Sequence, residues 1–116
     1  MLRFINIDKF TAEIYVEMLT SDTIIAFLRN NKQLLRSRFH CEEIGLFGSF
    51  ARNEQNELSD IDIIVQFEKD TPDLYTVEIE LKEYIKSHLG REVDICAKKW
   101  IKPVFRPLVL KEAIYA

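Results

Sequence analysis

The chain has 116 residues, 47% of them hydrophobic and 30% charged, which suits one compact domain with a single core and excludes long disorder. A net charge of −3 argues against binding nucleic acid through bulk electrostatics, and two cysteines exclude a disulfide-built scaffold. No apolar run approaches the ~20 residues of a membrane span, and "MLRFINIDKF" lacks the basic start and apolar stretch of a secretory signal, so a cytoplasmic setting is expected.

The elements follow in chain order. Residues 8–19, "DKFTAEIYVEML", fit a short helix or a strand equally well. "TSD" at 20–22 offers N-cap chemistry for a helix running to about Arg38, with Ile24, Phe27, Leu28, Leu34 and Leu35 on one face. "EIGLFG", 43–48, reads as a short apolar strand closed by glycine. "FAR" then forms a helical turn and "NEQNELS" a polar loop. "IDIIVQF", 61–67, starts half-polar and becomes apolar on both faces, as interior strands do.

"TPD" at 71–73 starts a further helix, with Pro72 near its first turn, an inner stripe of Leu74, Val77, Leu81, Tyr84 and Ile85, and an end at Gly90. "REVDICA", 91–97, is a third strand, and Pro103 and Pro107 bracket a last helical segment to Ile114. The expected fold class is α/β: a short mixed sheet flanked by helices. Charge is uneven along it. Residues 1–81 carry eight basic against fifteen acidic side chains, whereas residues 82–116 carry eight against four. Most of those lysines read as ordinary solvated side chains.

The chemistry concentrates in "GSFARNEQNELSDID", 48–62. Asp60 and Asp62 are two apart at the mouth of a strand, so both project from one face. Two carboxylates that close repel each other, and neither ionises cheaply beside a core. A divalent cation between them reverses that penalty, because Mg²⁺ takes carboxylate and phosphate oxygens. Asp94, flanked by Val93 and Ile95, reaches the same spot if strands 61–67 and 92–97 are neighbours, and can act as base towards a hydroxyl.

Gly48 and Ser49 supply what a metal-bound triphosphate still needs. Glycine admits close approach of backbone amides, Ser49 adds a hydroxyl donor, and a helix opening at Phe50 would aim its N-terminal dipole at the anion. Arg52, one turn on, adds a charge-assisted contact. Alone, a Gly-Ser corner is an ordinary strand-to-helix turn. It counts because it accompanies the three aspartates.

Gly48-Ser49, a gap of ten residues and Asp60-x-Asp62 together resemble the signature of the DNA polymerase β-like nucleotidyltransferases. With "GLFGSFAR", "SDIDIIV" and "REVDIC", the chain is similar to the minimal nucleotidyltransferases, short single-domain proteins of bacteria and archaea. The resemblance runs from about Ile24 to Ala116 and divides the chain into an N-terminal extension, 1–22, and a nucleotidyltransferase domain, 23–116. It implies that Gly48, Ser49 and Arg52 bind the nucleotide. Asp60 and Asp62 would hold the catalytic Mg²⁺, two ions in all with Asp94, whose carboxylate would orient or deprotonate the acceptor hydroxyl. ATP would be the substrate.

Asn53 stands where the family's "GSxARG" string has glycine, and asparagine is among the few residues that tolerate a left-handed backbone. The resemblance further implies a HEPN-domain toxin encoded beside the chain as partner, silenced by AMP transferred to a tyrosine. No membrane and no direct nucleic-acid contact are expected. A homo-oligomer remains open, with the apolar extension (Phe4, Ile5, Phe10, Ile14, Tyr15) able to mediate it, to dock the partner, or equally to fold back onto its own core. Two other functions stand beside transfer to a protein: a non-catalytic nucleotide-binding module that masks its partner, and transfer to a small hydroxylated molecule. His40, Cys41 and Cys96 lack metal-motif spacing, and His88 reads as a surface residue near a helix end. Trp100 reads as a partly buried anchor, with stacking on an adenine or touching a partner beside Lys98, Lys99 and Lys102 as the alternative.

Overall fold

A computed structural model describes residues 19–116; the expectations for residues 8–18 and for the apolar extension lie outside the described residues. Helix α1 (Ser21–Asn30) starts where "TSD" predicts, with Thr20 as N-cap and Thr23 closing a reciprocal capping box, an arrangement worth about 1 kcal/mol. The single helix expected to Arg38 is in fact two. Asn31 leaves helical geometry and its side-chain amide donates to the Phe27 carbonyl at 2.9 Å, so α2 (Lys32–Phe39) starts afresh.

Strand β1 (Cys41–Phe47) runs into a one-turn helix α3 (Gly48–Ala51), and β2 (Ile61–Phe67) occupies the segment read from the sequence. Helix α4 (Leu74–Leu89) begins later than expected. Asp73 is its N-cap in a left-handed conformation (φ 50°), which leaves Pro72 outside the helix rather than in its first turn. Gly90, at φ 68°, ends it as predicted. Strand β3 (Val93–Ala97) is followed by a 3-10 turn at Lys98–Trp100. The last helix is shorter than the two prolines suggested, α5 (Arg106–Glu112), and a two-residue strand β4 (Ile114–Tyr115) follows it.

The four strands lie in the order β3-β2-β1-β4. β2 pairs antiparallel with β1 and parallel with β3, so the sheet is mixed as expected. Ile61, Ile63 and Val65 of β2 face the helix layer, where they pack with Ile24, Leu28, Phe39, Leu81 and Ile85 in one core. Alternation therefore turns Asp62 and, on β3, Asp94 to the opposite face. The chain leaves β3 at one edge of the sheet and returns at the other as β4, which docks beside Gly45 and Leu46 of β1.

Candidate active site

The antiparallel hairpin does the first part of the work. It brings the end of β1 beside the start of β2, with Phe47 paired to Asp62, so the Gly48-Ser49 corner lies against the carboxylate fourteen positions later. Gly48 is buried at φ 74°, and a Cβ built there would meet Asp62 Oδ2 at 2.2 Å and its Cγ at 3.0 Å. Only glycine lets the backbone pass the carboxylate this closely. The parallel pairing does the second part: Asp62 and Asp94 are direct register partners. Their side chains project from the same face of adjacent strands ~4.8 Å apart. Asp60 precedes β2 and is exposed at its mouth.

The electrostatics follow from that placement. Partial burial, with Asp94 and then Asp60 adding like charge, pushes the Asp62 carboxyl up to about 6, against a smaller opposing pull from Arg52. Folded Asp62 thus binds its proton more tightly than the unfolded chain does. The resulting stabilisation is present below about pH 4 and lost as pH rises through about 6. Asp62→Asn should therefore melt higher than wild type at pH 7 without metal. The difference should vanish near pH 4, as a thermal melt at both values would show. The full shift would correspond to ~3 kcal/mol, but partial solvent access reduces the expected gain to about 1 kcal/mol, or ~4 °C.

Among the described residues, no group of three His, Cys, Asp or Glu side chains is gathered tightly enough to cage an ion unaided. The donor set still fits Mg²⁺, which binds through one or two carboxylates plus substrate phosphates. Asp60 and Asp62, two residues apart at the mouth of β2, offer such a pair, with Asp94 in register beside Asp62, and a cation would offset their like charges. Ser49 is half-buried on α3, next to Gly48. That helix is only four residues long, so the dipole expected at Phe50 reduces to a few backbone N–H groups, and the turn opens at Gly48 instead.

Arg52 is held by two acidic side chains. Its Nε donates to Glu54 at 2.8 Å and its Nη1 to both carboxylate oxygens of Glu112 at 3.0 and 3.2 Å. Asn53 adopts the left-handed conformation expected of the residue replacing glycine, at φ 58°. His40 contacts Glu68 at 3.6 Å, Cys41 and Cys96 are free thiols, and the His88 ring stacks on Tyr84 at 4.3 Å near the end of α4. Trp100, expected as a partly buried anchor, is 70% exposed, because the 3-10 turn after β3 carries it off the core with Lys99 over its ring.

Sequence reasoning missed two residues that shape the site. Glu112, distant in the chain, becomes a partner of Arg52 only because α5 packs beside α3. Arg91 donates from Nη1 to the Asn56 and Ser59 carbonyls at 3.2 and 2.8 Å and lies over the Phe50 ring. It thereby ties the loop leading to Asp60 onto the start of β3 and onto α3. Nothing in "GRE" announces that role. Arg91→Ala should speed proteolytic cleavage within residues 53–60 and lower stability by about 1–2 kcal/mol, read by limited digestion and a melt.

Asp60 and Asp94 are exposed and Asp62 is half-buried, so the carboxylates form an open shelf. A cavity of about 400 Å³ opens at the opposite end of β2, lined by Phe67, Glu68, Thr71, Leu74, Lys98 and Lys99, away from the aspartates. Among the described residues, no helix is long and apolar enough to cross a membrane.

Comparison with known proteins identifies the family. The profile of the Nucleotidyltransferase domain family matches residues 28–116. The protein adenylyltransferase MntA of Thermococcus cleftensis is 44% identical over 98 residues, covering 84% of this chain and 97% of that protein. A solved structure assigned to the minimal nucleotidyltransferases superposes with a TM-score of 0.70 at 32% identity, over 84% of this chain and 96% of the other. A crystal structure of a toxin–antitoxin with AMP-PNP matches with a TM-score of 0.59 at 27% identity, over 84% of this chain and 72% of that one. The chain belongs to the nucleotidyltransferase domain family, as an enzyme of the minimal, polymerase β-like kind.

Proposed function

We propose that the chain moves AMP from ATP to a hydroxyl of a partner protein with the help of Mg²⁺, and that the acceptor is a HEPN-domain toxin silenced by the modification. The observation that carries this reading is the in-register Asp62–Asp94 pair set against the buried, left-handed Gly48. Gly48 and Ser49 cradle the triphosphate through backbone amides and the serine hydroxyl. Asp60 and Asp62 hold the cation. When bound, it neutralises charge on the triphosphate and lowers the barrier to displacement.

Asp94 orients the acceptor hydroxyl and takes its proton as the new O–Pα bond forms. The bond between Pα and the bridging oxygen breaks, and pyrophosphate leaves with the displaced electron pair. Arg52 reaches the phosphates by exchanging a Glu54 or Glu112 oxygen for a phosphate oxygen. Protein rather than small-molecule acceptance is supported by the exposure of Asp60 and Asp94, which a partner's side chain can approach from solvent. A relative named as a protein adenylyltransferase and a fold neighbour solved as a toxin–antitoxin support it further.

The test is transfer of label from α-labelled ATP with Mg²⁺ onto the purified HEPN-domain protein encoded beside this chain. Label on a tyrosine of that protein is the expected result. Tight binding of the partner with no label from any of the four NTPs would replace this reading with that of a masking module.

A further inference from the structure

The segment from Lys98 to Lys111 carries five basic side chains and no acidic one, in a chain whose net charge is −3. It also gathers much of the exposed apolar surface: Trp100 (70% exposed), Val104 (76%), Phe105 (55%) and Leu108 (58%). Helix α5 buries none of its residues. Seven residues are too few to hold a helix by propensity alone. It is tied down by the Glu112–Arg52 pair, by contacts with α3, and by Arg106 donating to the Lys98 carbonyl at 3.0 Å. A chain under no other demand would not spend Val104, Phe105 and Leu108 on solvent.

We propose that Val104, Phe105 and Leu108, rimmed by Lys99, Lys102 and Lys111, form the docking surface for the acceptor protein, whose matching face is apolar with an acidic border. The proposal rests on the transfer reading above and adds where the acceptor sits. Position supports it. Leu108 is one helical turn, ~6 Å, from Glu112, and Glu112 grips the arginine that follows the Gly48-Ser49 corner. An acceptor seated on α5 therefore lies beside the shelf where its hydroxyl must arrive. Charge supports the partner's chemistry: Lys99, Lys102 and Lys111 form no ion pair among the described residues, so an acidic rim would complete them. Nucleic acid fits less well, because the chain as a whole carries net negative charge and repels phosphate.

The experiment uses the full chain and the purified HEPN-domain protein encoded beside it. Affinity is measured by calorimetry for wild type, for Phe105→Glu with Leu108→Glu, and for Lys102→Glu with Lys111→Glu. Binding of Mg·ATP to each variant reports that the fold and the nucleotide site are intact. The apolar pair should lose at least ~100-fold in partner affinity and the lysine pair ~10-fold, the latter loss shrinking in high salt, with Mg·ATP binding unchanged. Emission from the single tryptophan should shift to the blue when wild type binds its partner.

Undiminished partner affinity in both variants overturns the docking surface and leaves the transfer reading standing. Wild type that binds no partner overturns both. Variants that keep the partner but lose a single-stranded RNA oligonucleotide, or that lose only self-association in sedimentation, assign the surface to those occupants and overturn the proposal. Should the glutamates impair folding, the lysine pair with its salt dependence still decides.

Discussion

Replacing Asp60 and Asp62 together by asparagine is expected to lower label transfer to the partner by at least ~10³-fold while partner binding persists. The magnitude follows from what the carboxylates supply. A metal-held triphosphate gains several kcal/mol of charge stabilisation at the reacting phosphorus, and ~4 kcal/mol corresponds to about three orders of magnitude in rate. Asparagine keeps the volume and one oxygen but removes the charge that a hard cation needs. Asp62→Asn alone should approach the double variant, because Asp62 is the residue set between Gly48 and Asp94. The same substitution is expected to raise the melting temperature of the metal-free protein. Lower activity with higher stability from one change is the mark of a charge retained for function, and a loss of both would argue that Asp62 is merely structural.

Gly48→Ala is expected to damage activity through geometry rather than charge. An alanine at φ 74° pays about 1–2 kcal/mol for the left-handed backbone. Its methyl must also displace the Asp62 carboxylate, since no side chain tolerates contacts of 2.2 and 3.0 Å. Shifting a reacting group by ~1 Å costs on the order of 10²-fold in rate. Gly90→Ala is the matched control. Gly90 has nearly the same conformation, at φ 68°, but a methyl there meets nothing within 4 Å. Both variants should melt ~5 °C lower. Only Gly48→Ala should lose transfer and Mg·ATP affinity, and equal activity losses in the two would show that backbone strain, not the Asp62 contact, is responsible.

The sequence disclosed this site well because its parts are local and chemically unusual. Two carboxylates alternating with isoleucine, and a third between Val93 and Ile95, become favourable together around a cation, so Asp60, Asp62 and Asp94 stand out before any fold is known. Strand pairing then places the last two in register. Boundaries set by tertiary context were less legible. Asn31 splits a helix through its own side-chain hydrogen bond, and β4 is two residues held by a neighbouring strand, too short to leave a period in the sequence. Arg52 shows the limit most clearly. The spacing that put it near the phosphates is local, whereas Glu112 comes from sixty residues away and depends on how α5 crosses back beside α3.

The parallel pairing of β2 with β3 also sets an order of assembly. Gly48, Ser49, Asp60 and Asp62 all belong to one antiparallel hairpin and its connection, residues 48–60. Asp94 arrives only after the sixteen residues of α4 have crossed over and β3 has docked at the sheet's edge. Such long-range closure is the slow step of small mixed folds. Here it is also the step that forces a second carboxylate against the first. Amide exchange in β3 should accordingly outpace that in β1 and β2, and the newly made chain would gain its full set of acids only when β3 docks, so that competence for catalysis waits on one edge of the sheet.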